Sequence, residues 1–240
     1  MRWSPNCWTR ACRRALTRRP ATAGLPATVE VVAGDLTVPG SLDAALQGVG
    51  AVFLLWTAPP TIAPAVVERL ASHARRVVFL SSPHRTPHPF FQQPNPMALL
   101  HADVERLIAA AGLASTIIRP GMFASNTRLW WASMIRDGDV VRWPYGAAET
   151  APIDERDIAA VAARALYEDG HTGGDYVLTG PESLSQAEQV SALGSPSGDG
   201  SGLTSCRRRS FGARWGVACR VRSRTCCSLR GGRRSGAQPS

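Results

Sequence analysis

The sequence predicts an α/β fold, doubly wound, with a mostly parallel sheet. Three observations predict it. The continuous apolar runs Ala51-Val52-Phe53-Leu54-Leu55 and Val77-Val78-Phe79-Leu80 read as strands buried on both faces, as strands sandwiched between helices must be. Residues 97–111 carry Leu100, Val104, Leu107, Ile108 and Ala111 at helical spacing, and Gly112 stops the helix. Strand and helix signals then alternate along the chain, the mark of βαβ units.

The elements follow in order. Val29 to Val32 is a short β-branched strand, with Gly34-Asp35 as its turn. Ser41 is placed to N-cap a short helix through Gln47, which Gly48 ends. Strand 51–55 leads to a helix over 62–73, where Pro64 is tolerated in the first turn. Strand 77–81 ends in Ser81-Ser82-Pro83, and a Pro- and His-rich loop runs to Pro96. After helix 97–111, Thr116 to Arg119 is a strand closed by Pro120-Gly121. Helices are expected over 123–136 and 155–168, with a late strand at 175–178. Ser185 and Glu188 form a capping box that opens a last helix. Strands 29–32, 51–55, 77–81 and 116–119 are expected side by side.

Composition bounds the function. The length of 240 residues suits one α/β domain. A net charge of +9 would suit a nucleic-acid binder, but its distribution argues against one. Residues 1–19 hold six Arg and no acid, and residues 195–240 hold ten Arg and one acid. Residues 20–194 hold 11 Arg against 17 Asp and Glu, so the middle is acidic. All six Cys also lie at the ends, with no CxxC, which makes a zinc site a poor reading. The Arg-rich, acid-free start resembles a transit peptide only loosely. No apolar stretch is long enough for a membrane span, and a cytoplasmic location is expected.

The chain contains no Lys. Its Ala, Arg, Gly and Pro content suggests a GC-rich gene, in which a shifted frame yields Arg, Ser, Gly, Cys and Trp. Both ends look like that; genuine basic arms are the alternative. The expected organisation is an aberrant segment at 1–14, an incomplete α/β domain at 15–193 and a disordered Arg-rich tail at 194–240.

The strings ALTRRP (15–20), VEVVAGDLTVPGSLDAALQGVGAVFLL (29–55), VVFLSS (77–82), HADVERLIAAAGLASTIIRPGMFASN (101–126) and PIDERDIAAVAARAL (152–166) together resemble the NmrA-like, atypical short-chain dehydrogenase/reductase family. The resemblance covers about three quarters of the chain. It implies a Rossmann-like fold and NADP or NAD as cofactor. In that family a first strand and a Gly-rich turn cradle the pyrophosphate on backbone N–H groups. Residues 1–14 hold no glycine. The first strand and its turn are therefore expected to be missing, and binding of NAD(P)H by this chain is expected to be weak.

Position by position, the resemblance puts Arg18 against an adenosine 2′-phosphate, and a solvated Arg is the equal alternative. Asp35 would meet the adenine edge, or else cap its own turn. Leu55 and Trp56 would lie near the nicotinamide ribose, or else end a core strand. Ser81 and Ser82 end the next strand at the carboxyl edge of the sheet, where ligands bind in such folds. Catalytic members of the wider superfamily use Tyr-x-x-x-Lys. Aligned on VERLI, His101 takes the Lys position and Met97 the Tyr position; a thioether cannot donate a proton. His101 is then the catalytic candidate, able to bond ribose or to act as acid or base. Phe123, Asn126 and Trp130, with Trp131 and Trp143, could wall an apolar pocket or simply pack the core. Tyr145 and Tyr176 lie too far along for the motif, though a loop could bring Tyr145 near the pocket. Asp157, beside Asp154, reads as structural, bonding backbone N–H groups. No metal cluster has convincing context.

Two functions follow from the resemblance: an NAD(P)H-dependent oxidoreductase acting on a small carbonyl or quinone, or a non-catalytic dinucleotide-sensing regulator. An inactive, frame-shifted product is the third. The partner is expected to be a small molecule, with no nucleic acid and no membrane, and a homo-oligomer is left open.

Overall fold

Strands buried on both faces need helices on both sides, and the computed structural model, which describes residues 14–17, 29–83, 96–138, 140–194 and 217–220, builds that arrangement. Four parallel strands form the central sheet in the order β3 (Ala51–Leu55), β4 (Arg76–Leu80), β5 (Ala114–Pro120) and β8 (Asp175–Leu178). Leu55 pairs with Leu80, Leu80 with Ile118, and Pro120 with Leu178, so the carboxyl ends of the strands lie along one edge.

The helices cover both faces. Helix α2 (Ala63–His73) and helix α3 (Pro96–Ala110) pack with α1 (Asp43–Leu46) on one face. Their Leu46, Val66, Leu70, Val104 and Ile108 close over Leu54, Val77 and Phe79. Helix α5 (Glu155–Tyr167) covers the other face, with Ile158, Ala162 and Ala165 against Val78, Leu80 and Ile118. Val77, Val78 and Phe79 are wholly buried, which explains why β4 reads as an unbroken apolar run. Each such side chain contributes about 1.5–3 kcal/mol by leaving water.

The predicted helices at 62–73, 97–111 and 155–168 agree with α2, α3 and α5 to within a residue or so, and that at 123–136 with α4 (Ala124–Gly138) to within two. Gly112 takes φ +68 after α3, a conformation in which a Cβ is costly.

Two expectations change. Strand β2 (Glu30–Ala33) does not join the other three. It pairs in parallel with β1 (Arg14–Thr17) in a separate two-stranded sheet. Its Val31 and Val32 are only half-buried, as befits a peripheral strand. Ser41 does not cap a helix, because a 3-10 turn, Pro39–Leu42, comes first. Its Oγ instead accepts from the Asp35 N–H at 2.9 Å and reaches the Val38 carbonyl at 2.7 Å, closing the turn after β2. Helix α1 starts at Asp43 with no side-chain cap.

The chain divides into two compact units. Everything above except most of α4 belongs to the first, Met1–Asn126 with Thr150–Ser183. The second comprises Thr127–Glu149 and Leu184–Ser240. Within it, Trp131, Val141 and Val190 form a small core. The capping box is present: the Ser185 N–H donates to Glu188 Oε2 at 2.8 Å and the Glu188 N–H to Ser185 Oγ at 3.2 Å, at the start of α6 (Gln186–Gly194). Val217–Arg220, a local strand within the expected disordered tail, pairs antiparallel with β6 (Val140–Trp143), which β7 (Glu149–Thr150) follows; residues 195–216 and 221–240 of that tail lie outside the described residues. Among the described residues no helix is long and apolar enough to cross a membrane.

Candidate functional site

In an open parallel sheet the strand carbonyls and the loops beyond them meet at the carboxyl edge, where ligands bind. Here that edge carries Leu55, Trp56 and Thr57 after β3, Ser81 and Ser82 after β4, and Arg119 to Phe123 at the end of β5. Leu55 is 43% exposed, a large apolar side chain facing water at the strand end. Trp56 is buried against the face covered by α1 and α2, and its Nε1 has no hydrogen-bond partner among the described residues. A buried donor left in that state costs about 1–3 kcal/mol unless a ligand or water meets it.

Beneath the edge lies a buried charge network. The side chains of Arg119 and Glu105 are 1% and 7% exposed. The Arg119 fork donates to both Glu105 oxygens, at 2.6 and 2.8 Å, and to both Asp175 oxygens, at 2.6 and 3.0 Å. Arg119 Nη1 also donates to the Ser82 carbonyl at 3.1 Å, while the Ser81 hydroxyl donates to Glu105. Burial works to lower the Arg119 pKa, but the hydrogen bonds and charges of Glu105 and Asp175 outweigh it and raise it above the ordinary value. The guanidinium therefore stays charged. Four elements are tied together: the end of β4, helix α3, β5 and the start of β8.

His101 lies one turn before Glu105 on α3. Its ring is 5.8 Å from that of Phe79, and its Nδ1 is 2.8 Å from the Met97 carbonyl. A carbonyl only accepts, so Nδ1 carries the proton and Nε2 is the acceptor nitrogen whenever the ring is neutral. Met97 itself is 56% exposed.

The other sequence-derived positions divide. Asp35 Oδ1 accepts from the Thr37 N–H at 2.9 Å and the Thr37 hydroxyl at 2.8 Å, which is the turn-capping arrangement. Arg18 lies outside the described residues, as do residues 1–13, on which the expected absence of a phosphate turn falls. Phe123 and Asn126 lie just past β5, where the loop is strapped down: Phe123 bridges to Ile153, and the Ile153 N–H reaches the Met122 carbonyl at 2.8 Å. Gly180 sits on this strap so closely that a Cβ would run into the Pro152 carbonyl. Trp130, Trp131 and Trp143 cluster in the second unit, with Trp130 and Trp143 stacked at 5.7 Å. Tyr145, also there, is 72% exposed with φ +58. Tyr176 pairs with Ile118 across β5 and β8, its hydroxyl 2.9 Å from His171 Nδ1. The cap of α5 is Asp154 rather than Asp157: Asp154 Oδ1 accepts from the Arg156 N–H at 2.8 Å. Hydrogen bonds from the Arg156 side chain and N–H hold its carboxyl below the usual range. Among the described residues no group of three metal-ligating side chains occurs.

Sequence reasoning missed Glu105 and Asp175. The signal was present: Arg119 falls in the strand Thr116-Ile117-Ile118-Arg119, and a cation on a doubly covered strand requires buried anions.

Comparison with known proteins agrees with this fold. The family model described as NAD(P)H-binding matches residues 11–169. The (4-alkanoyl-5-oxo-2,5-dihydrofuran-3-yl)methyl phosphate reductase of Streptomyces griseus is 37% identical over 186 residues, 75% of this chain and 64% of that protein. The NAD(P)H azoreductase of Xenophilus azovorans is 34% identical over 174 residues, 71% of this chain and 59% of that one. Among solved structures, an NADPH-dependent quinone oxidoreductase from Escherichia coli superposes with TM-score 0.60 at 25% identity, over 74% of this chain and 62% of its own. The Citrobacter sp. triphenylmethane reductase complexed with NADP(H) superposes with TM-score 0.64 at 19% identity, over 76% and 67%. The chain thus spans less than two thirds of the length of the two curated relatives.

Proposed function

The chain belongs to the NAD(P)H-binding family, and from that premise we propose that it is an NAD(P)H-dependent reductase of the NmrA-like kind, acting on a small carbonyl or quinone. The observation that carries the reading is the carboxyl edge of the sheet: an exposed Leu55, a buried Trp56 N–H with no partner among the described residues and the His101 helix supported by a buried ion network. The cofactor is NADP or NAD, and when bound it supplies the hydride.

These residues fit its nicotinamide-ribose half. Leu55 offers an apolar floor for a ring. Trp56 Nε1 offers a donor to a ligand oxygen. His101, one helical turn before Glu105 on α3, is assigned to the ribose hydroxyl and to proton transfer. Phe123 and Asn126 are assigned to the substrate side of the same edge. Arg18 and Asp35 are assigned to the adenosine end. Met97 cannot transfer a proton, so the proton for a reduced carbonyl or quinone comes from His101 or water.

The Met97 substitution also favours a second reading, a cofactor-sensing regulator that binds NAD(P)H without turning it over. One assay separates them. NADPH and NADH oxidation is followed with a panel of quinones and small carbonyls, at saturating cofactor. Turnover that falls in His101→Gln supports the reductase. Cofactor binding with no turnover on any acceptor sinks it and leaves the regulator.

A further inference from the structure

A buried ion pair contributes little net stability over apolar side chains of the same size, because both charges must leave water. Its presence under one edge of the sheet therefore needs another reason. Arg119 cannot touch a ligand itself, since it is 1% exposed. What it touches is informative. One nitrogen holds the Ser82 carbonyl, the first loop residue pair after β4. The fork holds Glu105, one helical turn from His101. Its Nε and second nitrogen hold Asp175 on β8. Glu105 in turn receives the Ser81 hydroxyl. The backbone at Ser81-Ser82 and the helix bearing His101 are thus fixed to one rigid, planar group.

We propose that Arg119 is a positioning residue of the reductase site, which sets the Ser81-Ser82 backbone and the His101 helix at the distance that the cofactor's ribose requires. This rests on the reductase reading. A planar fork with five donors can satisfy this geometry and a Lys ammonium cannot, although Lys keeps the charge. Apolar replacement of both partners keeps the core filled but removes the fixing.

The test uses the full chain as Arg119→Lys and as the double variant Arg119→Met with Glu105→Leu. For each, kcat and KM for NADPH are measured separately, and amide exchange is followed at 80–83 and 97–101, with 66–70 of α2 as the internal control. Misplacing reacting groups by about 1 Å costs up to about a hundredfold in rate. Both variants are expected to lose about ten- to a hundredfold in kcat or gain as much in KM, with exchange accelerated at 80–83 and 97–101 and unchanged at 66–70. Wild-type kinetics and exchange in either variant overturn the proposal. So does acceleration spread equally to 66–70, which marks a merely structural role. If the wild type oxidises no NADPH with any acceptor, the reductase reading has failed, and the exchange pattern alone decides whether Arg119 fixes this edge.

Discussion

Removing one partner of the Arg119–Glu105 pair is expected to be the most damaging single change among the charged residues. In Arg119→Met, Glu105 keeps the Ser81 hydroxyl but loses two N–H donors and a buried counter-charge. Two charge-assisted hydrogen bonds contribute about 1.5–3 kcal/mol each, and breaking a buried pair costs about 3–5 kcal/mol overall. The Asp175 end adds less, because its side chain is 37% exposed and regains water. The expected loss is therefore about 3–5 kcal/mol. Glu105→Leu should cost a similar amount, by stranding the guanidinium between Asp175 and the core. The double variant should be nearly as stable as the wild type, because neither charge is then left buried alone. Urea unfolding followed by far-UV circular dichroism at neutral pH measures all four proteins of the cycle. A cost below about 1 kcal/mol for either single variant would refute the reasoning, as would a double variant less stable than both singles.

Three other outcomes are expected. Gly180→Ala should lower the denaturation midpoint severely, because its Cβ meets the Pro152 backbone rather than a movable side chain; a midpoint equal to the wild type's would show that the strap yields freely. Asp154→Ala should cost about 1 kcal/mol at neutral pH through loss of the α5 cap. The folded Asp154 carboxyl titrates below its unfolded value, so its contribution is full above the ordinary Asp pKa and is lost as pH falls through the lowered one; a gap between variant and wild type that widens on acidification contradicts this. Residues 1–14 contain no glycine to admit a pyrophosphate to the backbone, so calorimetry with the 240-residue chain should give an NADPH affinity weaker than micromolar, and a micromolar Kd counts against the expectation.

The parts of this molecule that were legible in its sequence are those fixed by short-range rules. Apolar runs named β3 and β4, because a strand covered on both faces has no polar side to show. The spacing of Val104 and Ile108 named the inner face of α3, and Gly112 its end, where φ +68 admits glycine cheaply. The pairing of Ser185 with Glu188 needed only three residues of context. What sequence could not give were partners set by the fold. Glu105 reads as one of several charges on an amphipathic helix until β5 places Arg119 beside it. Asp175 reads as a strand-start residue until β8 pairs with β5. Ser41 had the right chemistry for a cap, but a proline two residues earlier started a 3-10 turn and aimed its hydroxyl backward. Leu55 and Ser81 were placed at the sheet edge by their strands alone. That the Ser81 hydroxyl bonds Glu105, rather than being held out toward a ligand, follows from how α3 packs on the sheet and from no local pattern.

The order of the strands has a consequence during synthesis. β5 ends at Pro120, and its second neighbour begins at Asp175, with α4 and α5 made in between. At about 5–20 residues per second, the ribosome takes roughly 3–11 s to cover that gap. Throughout that interval one side of β5 offers an open row of backbone donors and acceptors, and Arg119 has one of its two carboxylates still to come. An open strand edge is a template for any other nascent chain. The nascent chain therefore carries an unpaired β5 edge for that interval, and a chain released anywhere between residues 121 and 174 keeps it.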